Sequence, residues 1–255
     1  MGKVATRHRE LLRQLAAEGS KSVEDLASSL KVAEATVRRD LQRLAATKRV
    51  VRIYGGAAIP GAPVLGTSAD DRAKGLIAQR AATLVGDDET IVVTGGTTTL
   101  AFARALLLEP RRLTVITNAL DVAYVLLDRA GIELIVLGGS VRPRMHSLLG
   151  PLTALTAREL RAHQLFMGAF AVNPAQGLMN DHVPEVLTDR ALKGMADRIT
   201  LLADASKFTR TAPAFVMPIA EVHRVVTDSR VDASALEALR GTGVDVEVCP
   251  AEAVA

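Results

Sequence analysis

The chain has 255 residues, of which 49% are hydrophobic and 23% charged, a length for one or two ordinary domains and a composition that excludes a disordered polypeptide. No run approaches the roughly 20 apolar residues of a membrane helix, and the start, MGKVATRHRE, lacks the apolar stretch of a secretory signal, so a cytoplasmic protein with no membrane partner is expected. The single cysteine, Cys249, rules out an intrachain disulfide and a thiolate zinc cluster, and the net charge of +3 divides unevenly: twelve Lys and Arg against six Asp and Glu in residues 1–58, nineteen against twenty-two in residues 59–255.

In chain order, Arg7 to Glu18 places Leu11, Leu12 and Leu15 at helical spacing before Gly19. Ser22 then stands where a cap belongs, with Asp25 three residues on and Leu26 and Leu30 turned inward, which predicts a short second helix with an Asp variant of the capping box. A tight connection at Lys31 and Val32 leads to a third helix, Ala33 to Ala46, with Val37, Leu41 and Leu44 on one face and Arg38, Arg39 and Arg43 on others. RVVRIYGGAA reads as two short β segments ending at Gly55 and Gly56, a wing able to carry Arg49 and Arg52 to a phosphate backbone. Residues 1–58 are therefore expected to form a winged helix-turn-helix. Residues 59–70, within the Pro- and Gly-containing stretch AAIPGAPVLGTSAD, are the expected linker.

Beyond the linker, residues 71–255 alternate apolar β runs (TIVV, LTVIT, IELIV, LFMGAFAV, ITLLA, RVVTD, VDVEV) with helical stretches, one of them predicted over Val186 to Arg198. That alternation predicts an α/β domain with a mainly parallel sheet and helices on both faces.

The third helix is the candidate DNA reader. In a helix-turn-helix, residues near the start of the second helix meet base edges and phosphates, and here these are Glu34, Thr36, Arg38 and Arg39. An arginine binds guanine with two hydrogen bonds and a threonine contacts phosphate or the thymine methyl. An Arg pair on an amphipathic helix is also what a plain solvated face looks like, and residue types alone leave both readings open. ATVRRDLQRL (35–44) and VRIYGGAA (51–58) resemble the N-terminal signature of DeoR-type bacterial repressors, with a Thr-x-Arg-Arg-Asp-Leu recognition helix and a wing ending in Gly-Gly-Ala. The resemblance implies DNA contacts from Thr36, Arg38 and Arg39, an ion pair between Asp40 and an arginine, and core positions for Val37 and Leu41; Arg43 on the same helix and Arg49 and Arg52 of the wing are further candidate DNA contacts. Two residues depart from the pattern: Ala33 replaces a Ser that would cap the helix, and Tyr54 replaces a frequent His.

In the second domain, Thr94 to Thr99 lies between a strand and a helix, a Gly-rich turn that aims backbone N–H groups at an anion. Glycine turns also serve plain packing in α/β domains. Asn118, Gly138 with Gly139, and Asp204 with Lys207 end other strands, and ligands of open α/β sheets bind at such carboxyl ends. The DeoR resemblance continues here through GTTT, ITN, LGG and ADASKF. It implies a sensor domain similar to ribose-5-phosphate isomerase that binds a phosphorylated sugar, with Gly95, Gly96, Thr97, Thr98 and Thr99 at the phosphate, Lys207 and Lys74 adding positive charge, and Asn118 and Asp204 at hydroxyls.

Two rival functions fit the sequence less well. A sugar-phosphate isomerase needs a positioned carboxylate, and residues 165–172 contain none, although Asp181 and Glu185 follow. A non-specific DNA-coating protein would need neither GTTT nor DASK. His146 and His182 have no second ligand at metal spacing, so no metal, cofactor or catalytic residue is expected. Arg142, Arg144 and His146 form either a lid or a solvated basic loop. The expectation is a sequence-specific regulator, a homo-oligomer (dimer or tetramer) that represses a carbohydrate-metabolism operon by binding double-stranded operator DNA and is released by a phosphorylated sugar.

Overall fold

The computed structural model describes residues 3–18, 20–47, 49–53, 56–58, 69–109, 111–143 and 145–250. The chain divides into two compact units, residues 1–72 and 73–255.

The first unit contains α1 (Lys3–Glu18), β1 (Ser20–Ser22), α2 (Val23–Leu30), α3 (Glu34–Ala46), β2 (Val51–Ile53) and β3 (Gly56–Ala58). Ser22 caps α2: its Oγ accepts from the Asp25 backbone N–H at 2.9 Å and donates to the Asp25 carboxylate at 2.6 Å, so each residue satisfies the other. Lys31 closes α2 in the left-handed conformation, φ 52°, and the chain re-enters a helix at Glu34. Leu11, Leu15, Val23, Leu26, Val37, Leu41, Leu44, Val50 and Ala57 fill the core. The wing has three strands, in the order β1-β3-β2, all antiparallel. Strand β1 was not read from SKS, which is too polar and short to signal a strand. It explains Gly56, where a Cβ would stand 2.2 Å from the Lys21 carbonyl oxygen. Tyr54, Gly55 and residues 59–68 of the expected linker lie outside the described residues, and Ala69 and Asp70 already belong to helix α4.

Helix α4 (Ala69–Ala82) crosses the division in the chain, and the second unit continues with β4 (Glu89–Val93), α5 (Thr97–Ala105), β5 (Leu113–Thr117), α6 (Leu120–Leu126), β6 (Ile132–Val136), β7 (Ser140–Arg142), β8 (Ser147–Leu149), α7 (Pro151–Arg158), β9 (Ala162–Met167), β10 (Ala171–Asn173), β11 (Gly177–Asn180), α8 (Val183–Lys193), β12 (Ala196–Leu202), β13 (Ala214–Met217), β14 (Arg224–Asp228), α9 (Ala233–Gly241) and β15 (Asp245–Cys249). Seven strands form one sheet, β15-β14-β12-β9-β4-β5-β6, with every neighbouring pair parallel. Both faces are covered, so successive apolar residues feed opposite cores: Val92, Leu165, Leu201 and Val225 pack in one, and Ile91, Val93, Phe166, Leu202 and Val226 in the other. Helices α4, α5 and α6 contribute to the second core. Helices α7, α8 and α9 contribute to the first, together with a small antiparallel sheet, β10-β11-β13.

Starting at β4, the chain builds outward through β5 and β6, then returns to the other side of β4 and continues through β9, β12, β14 and β15. The order of construction reverses between β4 and β9. In open α/β sheets a crevice forms at the carboxyl ends of strands at such a reversal.

Two expected elements are corrected. The helix read over Val186 to Arg198 begins at Val183 and ends at Lys193, because Ala196 and Arg198 pair with Ala162 and Gln164 of β9; sheet pairing overrides helical propensity there. LFMGAFAV is two strands in two sheets, broken over Gly168 to Phe170. Helices α4 and α7, the β7–β8 hairpin and strands β11 and β13 were not read from the sequence.

Candidate functional site

The first unit presents a cationic helix. On α3 the residues Val37 and Leu41 are fully buried, whereas Glu34, Arg38, Arg39, Arg43 and, beyond the helix, Arg49 are exposed and Thr36 is half-buried. Arg38 donates to Glu34 at 2.5 Å, an i,i+4 pair open to solvent. Arg39 and Arg43 stand one turn apart, away from the buried face. The backbone of Arg52 lies in β2, and its side chain is outside the described residues. Ala33 occupies the cap of α3 with no side-chain hydrogen bond.

Asp40 anchors this helix from within. Its carboxylate is 1% exposed, accepts from the Arg7 guanidinium and lies 3.1 Å from the His8 ring of α1. Burial works against ionisation, but the hydrogen bonds from Arg7 and His8 outweigh it and hold the carboxyl below its ordinary value. The arginine paired with Asp40 is therefore on another helix, where it fixes α1 against α3.

In the second unit a cavity of about 260 Å³ opens at the carboxyl ends of β4, β9 and β12. Thr94 to Thr99 form one wall, where β4 turns into α5. Gly96 is the cap of α5, φ 147°, and carries no side chain to occupy the helix N-terminus. Thr98 and Thr99 are buried, and Thr99 turns its hydroxyl back to the Gly96 carbonyl at 3.0 Å, which leaves the exposed Thr97 at the opening. Lys207, from a short 3-10 turn after β12, lines the same cavity, as does Arg210, whose guanidinium lies 5.5 Å from the Phe170 ring centroid. A helix N-terminus and two cationic side chains favour an anion.

The remaining wall is carboxylate-rich. Asn180 ends β11, Asp181 follows, and Glu185 and Asp189 project from α8 one turn apart. Arg142 of β7 donates to Glu185 and stands 3.7 Å from Asp181. The Asn180 amide donates to Glu185 at 3.3 Å and to Asp189 at 3.2 Å. Burial, and then the charge of Glu185, push the Asp189 carboxyl up to about 7, with Asn180 and Arg142 acting the other way.

Of the expected ligand residues, Gly95, Gly96, Thr97, Thr98, Thr99 and Lys207 line this cavity, and five others do not. Asn118 is buried and joins the end of β5 to β8: its side-chain amide donates to the Leu148 carbonyl at 3.1 Å and its backbone carbonyl accepts from the Leu148 N–H at 2.6 Å. Gly138 accepts from Thr153 at 2.6 Å, and Gly139, φ 149°, packs so closely that a Cβ would meet the Thr153 hydroxyl at 2.2 Å. Asp204 is fully buried and caps the 3-10 turn through the Ser206 N–H at 3.0 Å, positioning Lys207. Lys74 lies on α4. His146 pairs with Asp121 at 2.9 Å, while Met145 and Arg142 beside it reach the cavity wall; Arg144 is outside the described residues. Among the described residues no group of His, Cys, Asp or Glu is arranged to hold a metal ion, and no helix is long and apolar enough to cross a membrane.

Arg210, Asn180, Asp189 and Phe170 were not read from the sequence. A signal was present for two of them: Arg210 follows Lys207 at helical spacing, and Asp189 repeats Glu185 one turn later. Only the fold shows that the acid-free strand 165–172 faces carboxylates supplied by α8.

Comparison with known proteins gives two family matches, the DeoR-like helix-turn-helix domain over residues 7–61 and the DeoR C-terminal sensor domain over residues 70–229. The chain is 31% identical to the HTH-type transcriptional repressor CsqR of Escherichia coli K12, covering 94% of each chain. It is 30% identical to the glycerol-3-phosphate regulon repressor of the same organism, covering 97% of this chain and 100% of that one. Among solved structures, ribose 5-phosphate isomerase A of Methanocaldococcus jannaschii aligns with 53% of each chain at 20% identity and a TM-score of 0.40. With a helix-turn-helix presenting arginines and a sensor domain holding a cavity, and with both family domains matched along its length, the chain belongs to the DeoR family and is a transcriptional regulator, not an enzyme.

Proposed function

We propose that the protein represses a carbohydrate-metabolism operon in the cytoplasm and is released from it by a phosphorylated sugar. As a homo-oligomer, dimer or tetramer, it places paired α3 helices in the major groove of a repeated or palindromic operator. Arg38, Arg39 and Thr36 read bases and phosphates, and Arg43, Arg49 and Arg52 hold the backbone. The effector phosphate sits at the N-terminus of α5 between Gly95–Thr99, Lys207 and Arg210. Asn118, Gly138, Gly139 and Asp204 shape the surrounding turns, and Lys74 is left out of the contact set. The effector switches the protein through its unequal affinity for the DNA-competent and released states.

The observation that carries this reading is the polarity of the cavity: cations and a helix N-terminus on one wall, carboxylates and an amide on the other, in about 260 Å³. That volume lies below the range of about 300 to 1,000 Å³ for drug-sized ligands and suits a small, doubly functional metabolite.

The test is genomic-fragment selection by the purified full chain at fixed salt, repeated with a panel of sugar phosphates. Capture of a few fragments, released by one phosphate, is the expected result. Uniform weak binding indifferent to every phosphate overturns it.

A further inference from the structure

The carboxylate wall distinguishes between ligands as well as holding them. An amide NH₂ has two hydrogens, and those of Asn180 serve Glu185 and Asp189, at 3.3 and 3.2 Å. The Arg142 guanidinium is turned to Glu185 and Asp181. Glu185 also receives the Ser147 hydroxyl at 3.4 Å and Asp181 is 45% exposed to solvent beside Arg142, so Asp189, with one amide contact, is the less exposed carboxylate left to meet a ligand. Three carboxylates face one guanidinium here, and hydrogen-bond acceptors are in excess. Such a wall receives hydroxyl groups and repels a second anion.

We propose that Asp189, supported by Glu185, is the residue that selects a hydroxyl-bearing effector, accepting hydrogen bonds from it in the ionised form. The inference rests on the sugar-phosphate reading above. The charged groups around Asp189 are Glu185 on the same helix, Asp181 before it, Arg142 on β7, and Lys207 and Arg210 across the cavity; Arg190 turns away to carbonyls of β13. In the free protein burial, and then the charge of Glu185, push the Asp189 carboxyl up to about 7. Hydroxyl donors from the ligand stabilise the ionised form, and its value falls in the complex. Affinity therefore rises with pH through neutrality, by about tenfold from pH 6 to pH 8 for a single group titrating at 7 in the free state. A phosphate monoester's own second ionisation, near about 6, adds about twofold over the same interval.

The experiment is titration calorimetry of the full chain at pH 6, 7 and 8, in buffers of different ionisation enthalpy, with inorganic phosphate, propyl phosphate, glycerol 3-phosphate and a set of pentose and hexose phosphates, repeated with Asp189→Asn. The expected result is that at least one sugar phosphate binds tighter than propyl phosphate, with a proton release beyond that of propyl phosphate of about half a proton at pH 7 and nearly one at pH 6. In Asp189→Asn the pH dependence shrinks to the twofold due to the phosphate, and the preference over propyl phosphate is lost. Tight sugar-phosphate binding with no proton release beyond that of propyl phosphate, or with an unchanged preference in Asp189→Asn, overturns the role of Asp189 and leaves the repressor reading standing. Binding of phosphate and propyl phosphate as tightly as every sugar phosphate overturns the role of the carboxylate wall. Absence of binding by every probe overturns the sugar-phosphate reading itself. The buffer comparison is made on the unmodified chain, so it holds whether or not the variant folds.

Discussion

The DNA-facing surface of the first unit and the cavity of the second are built on different scales. Arg38, Arg39 and Arg43 lie on one helix, and a single buried carboxylate, Asp40, ties that helix to α1. The cavity instead gathers the start of α5, the β7 strand, the break after β9, the end of β11, two turns of α8 and the loop after β12, from Thr94 to Arg210. A surface carried by one helix tolerates change around it as long as the helix is held. A cavity assembled at the carboxyl ends of central strands depends on each turn that brings its walls together.

Asp40→Ala should have the largest effect, because it leaves the Arg7 charge without its buried partner at a cost of about 3 to 5 kcal/mol. Circular dichroism of the full chain on heating should show the first unit melting earlier, with operator binding lost and sugar-phosphate binding retained. Equal loss of both would show that the two regions fold as one. The pH dependence has a fixed sign: a carboxyl held below its ordinary value of about 4 contributes stability above that value, and the contribution disappears as pH falls through the lowered folded value. Asp40→Asn should remove that acid-dependent part of the unfolding curve.

Gly139→Ala tests the opposite region. Its φ of 149° and the 2.2 Å approach of a Cβ to Thr153 predict a loss of about 1 to 3 kcal/mol from strained backbone, read by denaturant unfolding. Sugar-phosphate binding should weaken although Gly139 does not line the cavity. An unaffected affinity would show that this turn is dispensable to the site.

Arg39→Ala and Lys207→Ala sharpen the contrast when measured side by side. Arg39→Ala should weaken operator binding by about 1 to 3 kcal/mol if it reads a base, or lower the salt slope by about one if it holds a phosphate, with effector affinity unchanged. Lys207→Ala should leave operator affinity intact and demand more effector for release, by about tenfold, or 1.4 kcal/mol. Fluorescence anisotropy of labelled operator reads both, and exchanged phenotypes would reverse the two assignments. The smallest effect is a gain: Ala33→Ser supplies the missing cap oxygen of α3 and should stabilise the first unit by about 0.5 to 2 kcal/mol, seen as a higher midpoint of thermal unfolding.

The sequence by itself determined the helix-turn-helix, because its signals are local: the Ser22 cap, the inward Leu26, Val37 and Leu41, and the arginines between them all act within one or two helical turns. It also determined the alternation that makes the second unit α/β, and the Gly-rich turn at Gly95 and Gly96. It did not show β1, since SKS becomes a strand only when β3 pairs with it, nor the end of the helix before Gly194, since Ala196 to Arg198 are drawn into β12 by β9. Tertiary structure alone decided the membership of the cavity. Asn118, Gly138, Gly139 and Asp204 end strands as a binding residue would, yet none lines the cavity: the Asn118 amide is turned to Leu148, the Gly138 carbonyl to Thr153 and one Asp204 oxygen to the Ser206 N–H, while Gly139 packs against Thr153. Asp189 and Arg210 follow Glu185 and Lys207 at helical spacing, but only the reversal of strand order between β4 and β9 brings them to one cavity. Contacts across a parallel sheet join residues far apart in the chain, and no local pattern of residue types records which of them will meet.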